Sequence, residues 1–184
     1  MLSIGWFVKE DIIRLLHYGE NIEVVALDPC TEVVREYQSI GSPRLKVECQ
    51  AVEAETGTAR LFIDPANRGA TSTQREGSGK TIEVPATTLE AVIARYGRFD
   101  FVYMNCEGCE IPVILTTPIK ILRECPIIFV QFHKFIGLVS ETDIEECLNK
   151  LQHDFDCKLI NPRYPNYKFL RKGFQEKARF RFIQ

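Results

Sequence analysis

Short apolar runs that alternate with amphipathic segments predict an α/β protein, a mostly parallel sheet covered on both faces by helices, with an antiparallel element at one edge. Three observations carry this. The strand candidates are near-continuous apolar runs rather than in–out alternations, as doubly buried parallel strands are. The segments between them place apolar residues at helical spacing. The end of the chain is strand-rich, which asks for antiparallel pairing at an edge. At 184 residues the chain is expected to form a single domain, 1–184.

The elements follow in order. Leu2–Phe7 is a short apolar strand. Glu10–Tyr18 sets Ile12, Ile13, Leu15 and Leu16 at helical spacing and stops at Gly19. Ile22–Leu27 is a β-branched strand ending in Asp28-Pro29. Thr31–Ile40 is a helix with Val33, Val34 and Tyr37 on one face, and Arg44–Ala51 is the third strand. Thr58–Ile63 and Lys80–Val84 read as strands closing the base of a β-hairpin excursion. The segment between them, Asp64 to Gly79, is rich in Gly, Ser, Thr and Asn. Thr87–Tyr96 is a helix capped by Thr87 or Thr88 and stopped at Gly97. Phe99–Met104 is a buried strand, and Cys109–Arg123 is one helix that tolerates Pro112 in its first turn. Pro126–Phe132 is another buried strand. Glu141–His153 turns Ile144, Cys147, Leu148 and Leu151 inward. Lys158–Ile160, Lys168–Leu170 and Arg179–Ile183 are the remaining strands.

Composition excludes several classes. Lys and Arg total 23 against 25 Asp and Glu, a net charge of −2, which rules out strong overall attraction to nucleic acid or an anionic membrane. No apolar stretch approaches the roughly 18–20 residues of a spanning helix. Met1–Val8 has no basic lead and runs straight into Lys9-Glu10-Asp11. No leader is therefore read there, and a cytoplasmic location is expected. The seven cysteines are an odd number with no secretory signal, so reduced thiols are expected; Cys106 and Cys109 form the only close pair. From Arg163 onward seven basic residues are interleaved with aromatics. Arg179-Phe180-Arg181-Phe182, however, alternates with period two, as an edge strand with one wet face does, and no nucleic-acid partner is expected. No motif specifies an oligomeric state.

In open parallel sheets ligands bind beyond the carboxyl ends of the strands, so the residues that follow each strand are the site candidates. Gly5 ends the first strand and admits close backbone approach, to a ligand or simply in a tight turn. Asp28 ends the second, where a carboxylate can accept both hydroxyl hydrogens of a ribose, or cap the turn before Pro29. Together they suggest an adenosine-containing ligand. After the fourth apolar run come Asn105, Glu107 and Glu110: an amide and two carboxylates at the positive end of a helix. They suit an acceptor hydroxyl, and equally suit a first turn that favours acids. His133 follows the next strand, as a general base or as a hydrogen-bonded loop residue.

The segment Asn105-Cys106-Glu107-Gly108-Cys109-Glu110 resembles the D-x-E-G-x-E signature of the FkbM-type methyltransferases, which depend on S-adenosylmethionine. Val25-Ala26-Leu27-Asp28-Pro29, Gln50-Ala51-Val52 followed by Glu55-Thr56-Gly57-Thr58-Ala59, Gly69-Ala70-Thr71-Ser72, Thr87-Thr88-Leu89-Glu90 and Ile128–His133 resemble further motifs of that family, in the same order. The likeness spans Ser3 to His153. It implies a class I methyltransferase (Rossmann-like) three-layer sandwich and transfer of a methyl group to oxygen on a small-molecule or glycan acceptor. Gly5, Asp28, Ala51 and Val52 would hold the cofactor. Asn105, Glu107 and His133 would be catalytic, Glu110 and Ser72 would meet the acceptor, and no metal is implied. The first motif departs from the family's D-x-G-x-x-x-G: Ser3 replaces the acid, Lys9 the second glycine, and Trp6 and Phe7 small residues. Asn105 replaces the signature Asp, and an amide cannot be a base. The family also commonly has chain before its first strand, so a trimmed form or a fragment is expected here. Two other readings stay open: a catalytically inactive binding module of the same fold, and a thiol-redox protein using the C-x-x-C.

Overall fold

The structure is a computed structural model and describes residues 1–5, 9–63, 71–74, 80–134 and 137–175. Along the chain run β1 (Leu2–Gly5), α1 (Lys9–Tyr18), β2 (Val24–Leu27), α2 (Thr31–Gln38), β3 (Leu45–Glu48), β4 (Ala51–Val52), β5 (Gly57–Ile63) and β6 (Lys80–Thr87). They are followed by α3 (Leu89–Tyr96), β7 (Phe101–Asn105), α4 (Glu110–Thr116), α5 (Ile119–Leu122), β8 (Ile127–Gln131), α6 (Glu141–Leu151), β9 (Phe155–Asn161) and β10 (Asn166–Arg171). Seven strands form one sheet in the order β3-β2-β1-β7-β8-β10-β9. The first five are parallel, and β10 runs antiparallel to both β8 and β9. This is the Rossmann-like α/β architecture with an antiparallel edge that the sequence predicts. The strand the sequence places at Arg179–Ile183 lies outside the described residues.

The three layers follow from residue alternation. Along β2, Val24 and Ala26 pack with Ile12 and Leu16 of α1 and Val33 and Tyr37 of α2. Val25 and Leu27 point the other way, into the larger core with α3, α4 and α6. Both faces are buried, which is why β2 and residues Ile127–Val130 of β8 read as unbroken apolar runs. Each fully buried Leu or Ile in these layers contributes about 1.5–3 kcal/mol.

Two predicted elements divide. The strand read over Arg44–Ala51 is β3 and β4. After Glu48 the chain leaves the main sheet, and β4 pairs with β6 in a second sheet, β4-β6-β5. Its β5–β6 hairpin pairs from Gly57–Ala86 to Ile63–Lys80, closing the base of the excursion as expected. The helix read over Cys109–Arg123 breaks between Thr116 and Ile119, because Pro118 has no N–H to continue it and its ring crowds the preceding turn. The carbonyls freed at the break are met by Lys150 of α6, whose Nζ donates to Leu115 O at 2.6 Å and Thr117 O at 2.8 Å. That contact also locks α6 onto α4.

Candidate active site

The chain runs outward from β1 through β2 to β3, then returns to the far side of β1 as β7. The strand order therefore reverses between β1 and β7, where Gly5 is in register with Asn105. Beyond these strand ends lies an open cleft. Gly5 is needed there for two reasons. Its φ is +78°, and a Cβ would stand 2.1 Å from the carbonyl oxygen of Asn105. A side chain would force β1 and β7 apart at the floor of the cleft.

Six of the predicted site residues line this cleft together: Gly5, Asp28, Asn105 and Glu107, read from strand ends, and Ala51 and Val52, implied by the family resemblance. Asp28 is 5% exposed. Its Oδ1 accepts from Cys30 N at 2.8 Å, and among the described residues its other oxygen has no protein donor. Burial raises its pKa to about 7, against a smaller lowering by the Cys30 hydrogen bond. The apolar part of the lining is supplied by Ile4, Leu27, Val52 and Leu61, among others.

The turn from β7 into α4 organises the polar end. Glu110, with no exposed surface, accepts from Cys106 N at 2.7 Å and Gly108 N at 2.9 Å, closing the turn on itself. Glu107 sits at its tip with φ +54°, a left-handed conformation that costs a non-glycine residue about 1–2 kcal/mol. Gly108 follows at φ +108°, packed so closely that a Cβ would lie 3.2 Å from Gln74 Cβ and 3.3 Å from Leu138 Cβ. The result is that both carboxylates converge on His133. Its Nδ1 is 2.8 Å from Glu110 Oε1, and its Nε2 is 3.0 Å from Glu107 Oε1. His133 is fully buried, which by itself disfavours the cation. The two carboxylates outweigh that and raise its pKa to about 9. Both ring nitrogens of His133 therefore face carboxylates, as in a hydrogen-bonded loop residue.

Ser72 and Glu110, read as acceptor contacts, are likewise committed to the protein. Ser72 is 1% exposed, donates to Glu107 O at 2.5 Å and accepts from Gln74 N at 3.0 Å. Neither has surface to offer a ligand, and both hold the Glu107 turn in place. Glu53 was not anticipated. It follows β4 directly, lines the cleft, and accepts from Thr73 Oγ1 and from Gln74 Nε2, the latter at 3.1 Å. It thereby ties residues 71–74 across the cleft, and burial raises its pKa. Applying the strand-end rule to Val52 would have found it.

Cys106 and Cys109 also line the cleft, and they are joined by a disulfide across Cα atoms 5.6 Å apart. Reduced thiols were expected throughout. The turn that folds back onto Glu110 brings these two together, while Cys30, Cys49, Cys125, Cys147 and Cys157 are free.

A model of the methyltransferase FkbM domain matches residues 11–159, well over half of the chain. The chain belongs to the FkbM methyltransferase family. No match is found among curated proteins. The matched span of the FkbM domain contains Asp28, Ala51, Val52, Glu53, the Asn105–Glu110 turn and His133, and it ends within β9. Gly5 lies before it, and Trp6 and Phe7, where the first motif departs from the family's, lie outside the described residues. Ser3 also lies before the matched span and is fully buried in β1. Among the described residues no group of His, Cys, Asp and Glu is arranged to hold a metal ion, and no helix is long and apolar enough to cross a membrane.

Proposed function

We propose that this FkbM methyltransferase is an S-adenosylmethionine-dependent O-methyltransferase acting on a hydroxyl of a small-molecule or carbohydrate acceptor. The observation that carries the reading is the convergence, in one cleft at the strand-order reversal, of a buried carboxylate with an uncommitted oxygen (Asp28), an apolar slot (Ala51, Val52, Leu61) and a carboxylate held at the rim (Glu107).

The residues fit the cofactor. Asp28 has an oxygen to accept from the ribose hydroxyls, Ala51, Val52 and Leu61 offer an apolar slot of adenine-like character, and the backbone at Gly5 can be approached closely. Bound there, S-adenosylmethionine supplies an electrophilic methyl group on a sulfonium. The protein's share is alignment and proton handling. Glu107 accepts the hydrogen bond of the acceptor hydroxyl and so orients its lone pair. The oxygen becomes strongly acidic only as it is alkylated, so a carboxylate is base enough to take the proton at that stage. His133 and Glu110 stand behind Glu107 and fix its direction. Asn105 has its Nδ2 donating to Tyr103 Oη at 3.3 Å, and is assigned to positioning the acceptor side of the turn.

Calorimetry with S-adenosylhomocysteine and a methyl-transfer screen over sugars and small alcohols test this. Micromolar binding, with turnover that falls about 10²–10⁴-fold in Glu107→Gln, is expected. Absence of binding in a folded sample refutes the reading. Binding without transfer to any acceptor shifts the assignment to a binding module.

A further inference from the structure

The Cys106–Cys109 disulfide lies inside the signature turn and in the wall of the cleft, beside Glu107. It closes a ring over Glu107 and Gly108, the two residues of the turn with positive φ. A left-handed Glu107 is a conformation an unconstrained chain leaves by rotating. Three contacts depend on the same turn: Cys106 N and Gly108 N on Glu110, and Ser72 Oγ on Glu107 O. The bond therefore braces both the carboxylate that faces the cleft and the cleft wall itself. The two sulfurs differ in access. Cys106 is partly exposed, whereas Cys109 is 3% exposed.

We propose that Cys106–Cys109 is a thiol–disulfide switch on this site: closed, it holds the Glu107 turn ready for ligand; opened by a dithiol reductant, it releases that turn and weakens binding in the cleft. The chemistry is ordinary exchange. A thiolate of the dithiol attacks the Cys106 sulfur, the S–S bond breaks, and Cys109 leaves as thiolate. The reductant's second thiol then displaces Cys106, forming the reductant's own disulfide. Two electrons pass to the protein, and the two protons of the dithiol end on Cys106 and Cys109. Binding and reduction are coupled in both directions, so a ligand that prefers the closed form also protects the bond.

The proposal rests on the cofactor reading for its ligand, and the test separates the two. The full chain is prepared oxidised and after dithiothreitol treatment, with alkylation and peptide mapping to place the reducible bond. The other five cysteines are free, so the reductant has one target. A map with no reducible Cys106–Cys109 bond overturns the proposal. In the first arm, without ligand, hydrogen exchange is followed across residues 105–116. Loss of protection at Cys106 and Gly108 on reduction supports the switch, and unchanged exchange overturns it. In the second arm S-adenosylhomocysteine is titrated into both forms. Binding about tenfold weaker after reduction, restored on reoxidation, supports it, within the usual span of couplings; equal affinities overturn it. No binding to either form refutes the cofactor reading instead, and the exchange arm still decides whether the bond governs the turn. Cys106→Ser/Cys109→Ser should behave as the reduced protein in both arms.

Discussion

Raising the pH should release His133 from its clamp, and the size of the effect follows from the geometry. The ring is fully buried and meets Glu107 at 3.0 Å and Glu110 at 2.8 Å. Its pKa of about 9, against 6.5 for an ordinary histidine, corresponds to about 3 kcal/mol of stabilisation in the protonated state. Because the folded-state pKa is the higher one, this stabilisation is fully present below about pH 6.5. It is lost progressively as the pH rises from there through about 9. Asp28, raised to about 7 by burial, lowers stability over a partly overlapping range, between its ordinary 3.8 and about 7. The comparison is therefore made against His133→Gln, in which Asp28 titrates as before. Urea unfolding at intervals from pH 6 to 9.5 is the assay. At pH 6 the variant should be less stable by about 3–5 kcal/mol, because it leaves a buried charge without its partner. That gap should narrow by about 3 kcal/mol by pH 9.5. A gap that stays constant across the range would show that His133 carries no held proton, and the clamp argument would fail with it.

Three further outcomes are expected. Gly5→Ala should lose about 2–4 kcal/mol in thermal or urea unfolding, since it combines a left-handed φ with a Cβ 2.1 Å from Asn105 O, and it should abolish ligand uptake. In wild type, S-adenosylhomocysteine affinity measured by calorimetry should rise between pH 6 and 8, as the Asp28 carboxylate forms through its pKa of about 7. Asp28→Asn should bind about tenfold more weakly and show no such rise. Ser72→Ala removes the donor to Glu107 O and the acceptor for Gln74 N. It should cost about 1–3 kcal/mol in urea unfolding and lower kcat by more than it changes KM for the cofactor.

The layered fold and the line of the cleft were legible in the sequence because both are written in local patterns. Apolar runs such as Val24–Leu27 and Ile127–Gln131 mark doubly buried strands, and Gly5, Asp28 and Asn105–Glu107 stand directly at strand ends. The break in the helix was missed: the periodicity ran straight through Pro118, which separates α4 from α5. What periodicity could not provide was the division of the third strand. Whether Ala51 pairs with the main sheet or with β6 depends on a partner strand more than thirty residues later.

Residue type and spacing by themselves determined an α/β domain with carboxylates, an amide and a histidine gathered at one end of its sheet, and the motif resemblance added the FkbM family. Only the tertiary structure decided where each of them stands and what it touches. Glu107 and Glu110 are three residues apart and chemically identical. One reaches the cleft, and the other is buried with two backbone N–H groups and the His133 imidazole. His133 lies between two carboxylates that raise its pKa to about 9, Ser72 braces a turn 35 residues away, and two cysteines expected to be free are bonded. The physical reason is common to all of these. Protonation, hydrogen-bond commitment and thiol pairing depend on distance to other groups and on exclusion of water. Those are set by packing between distant segments, and local sequence carries no record of them.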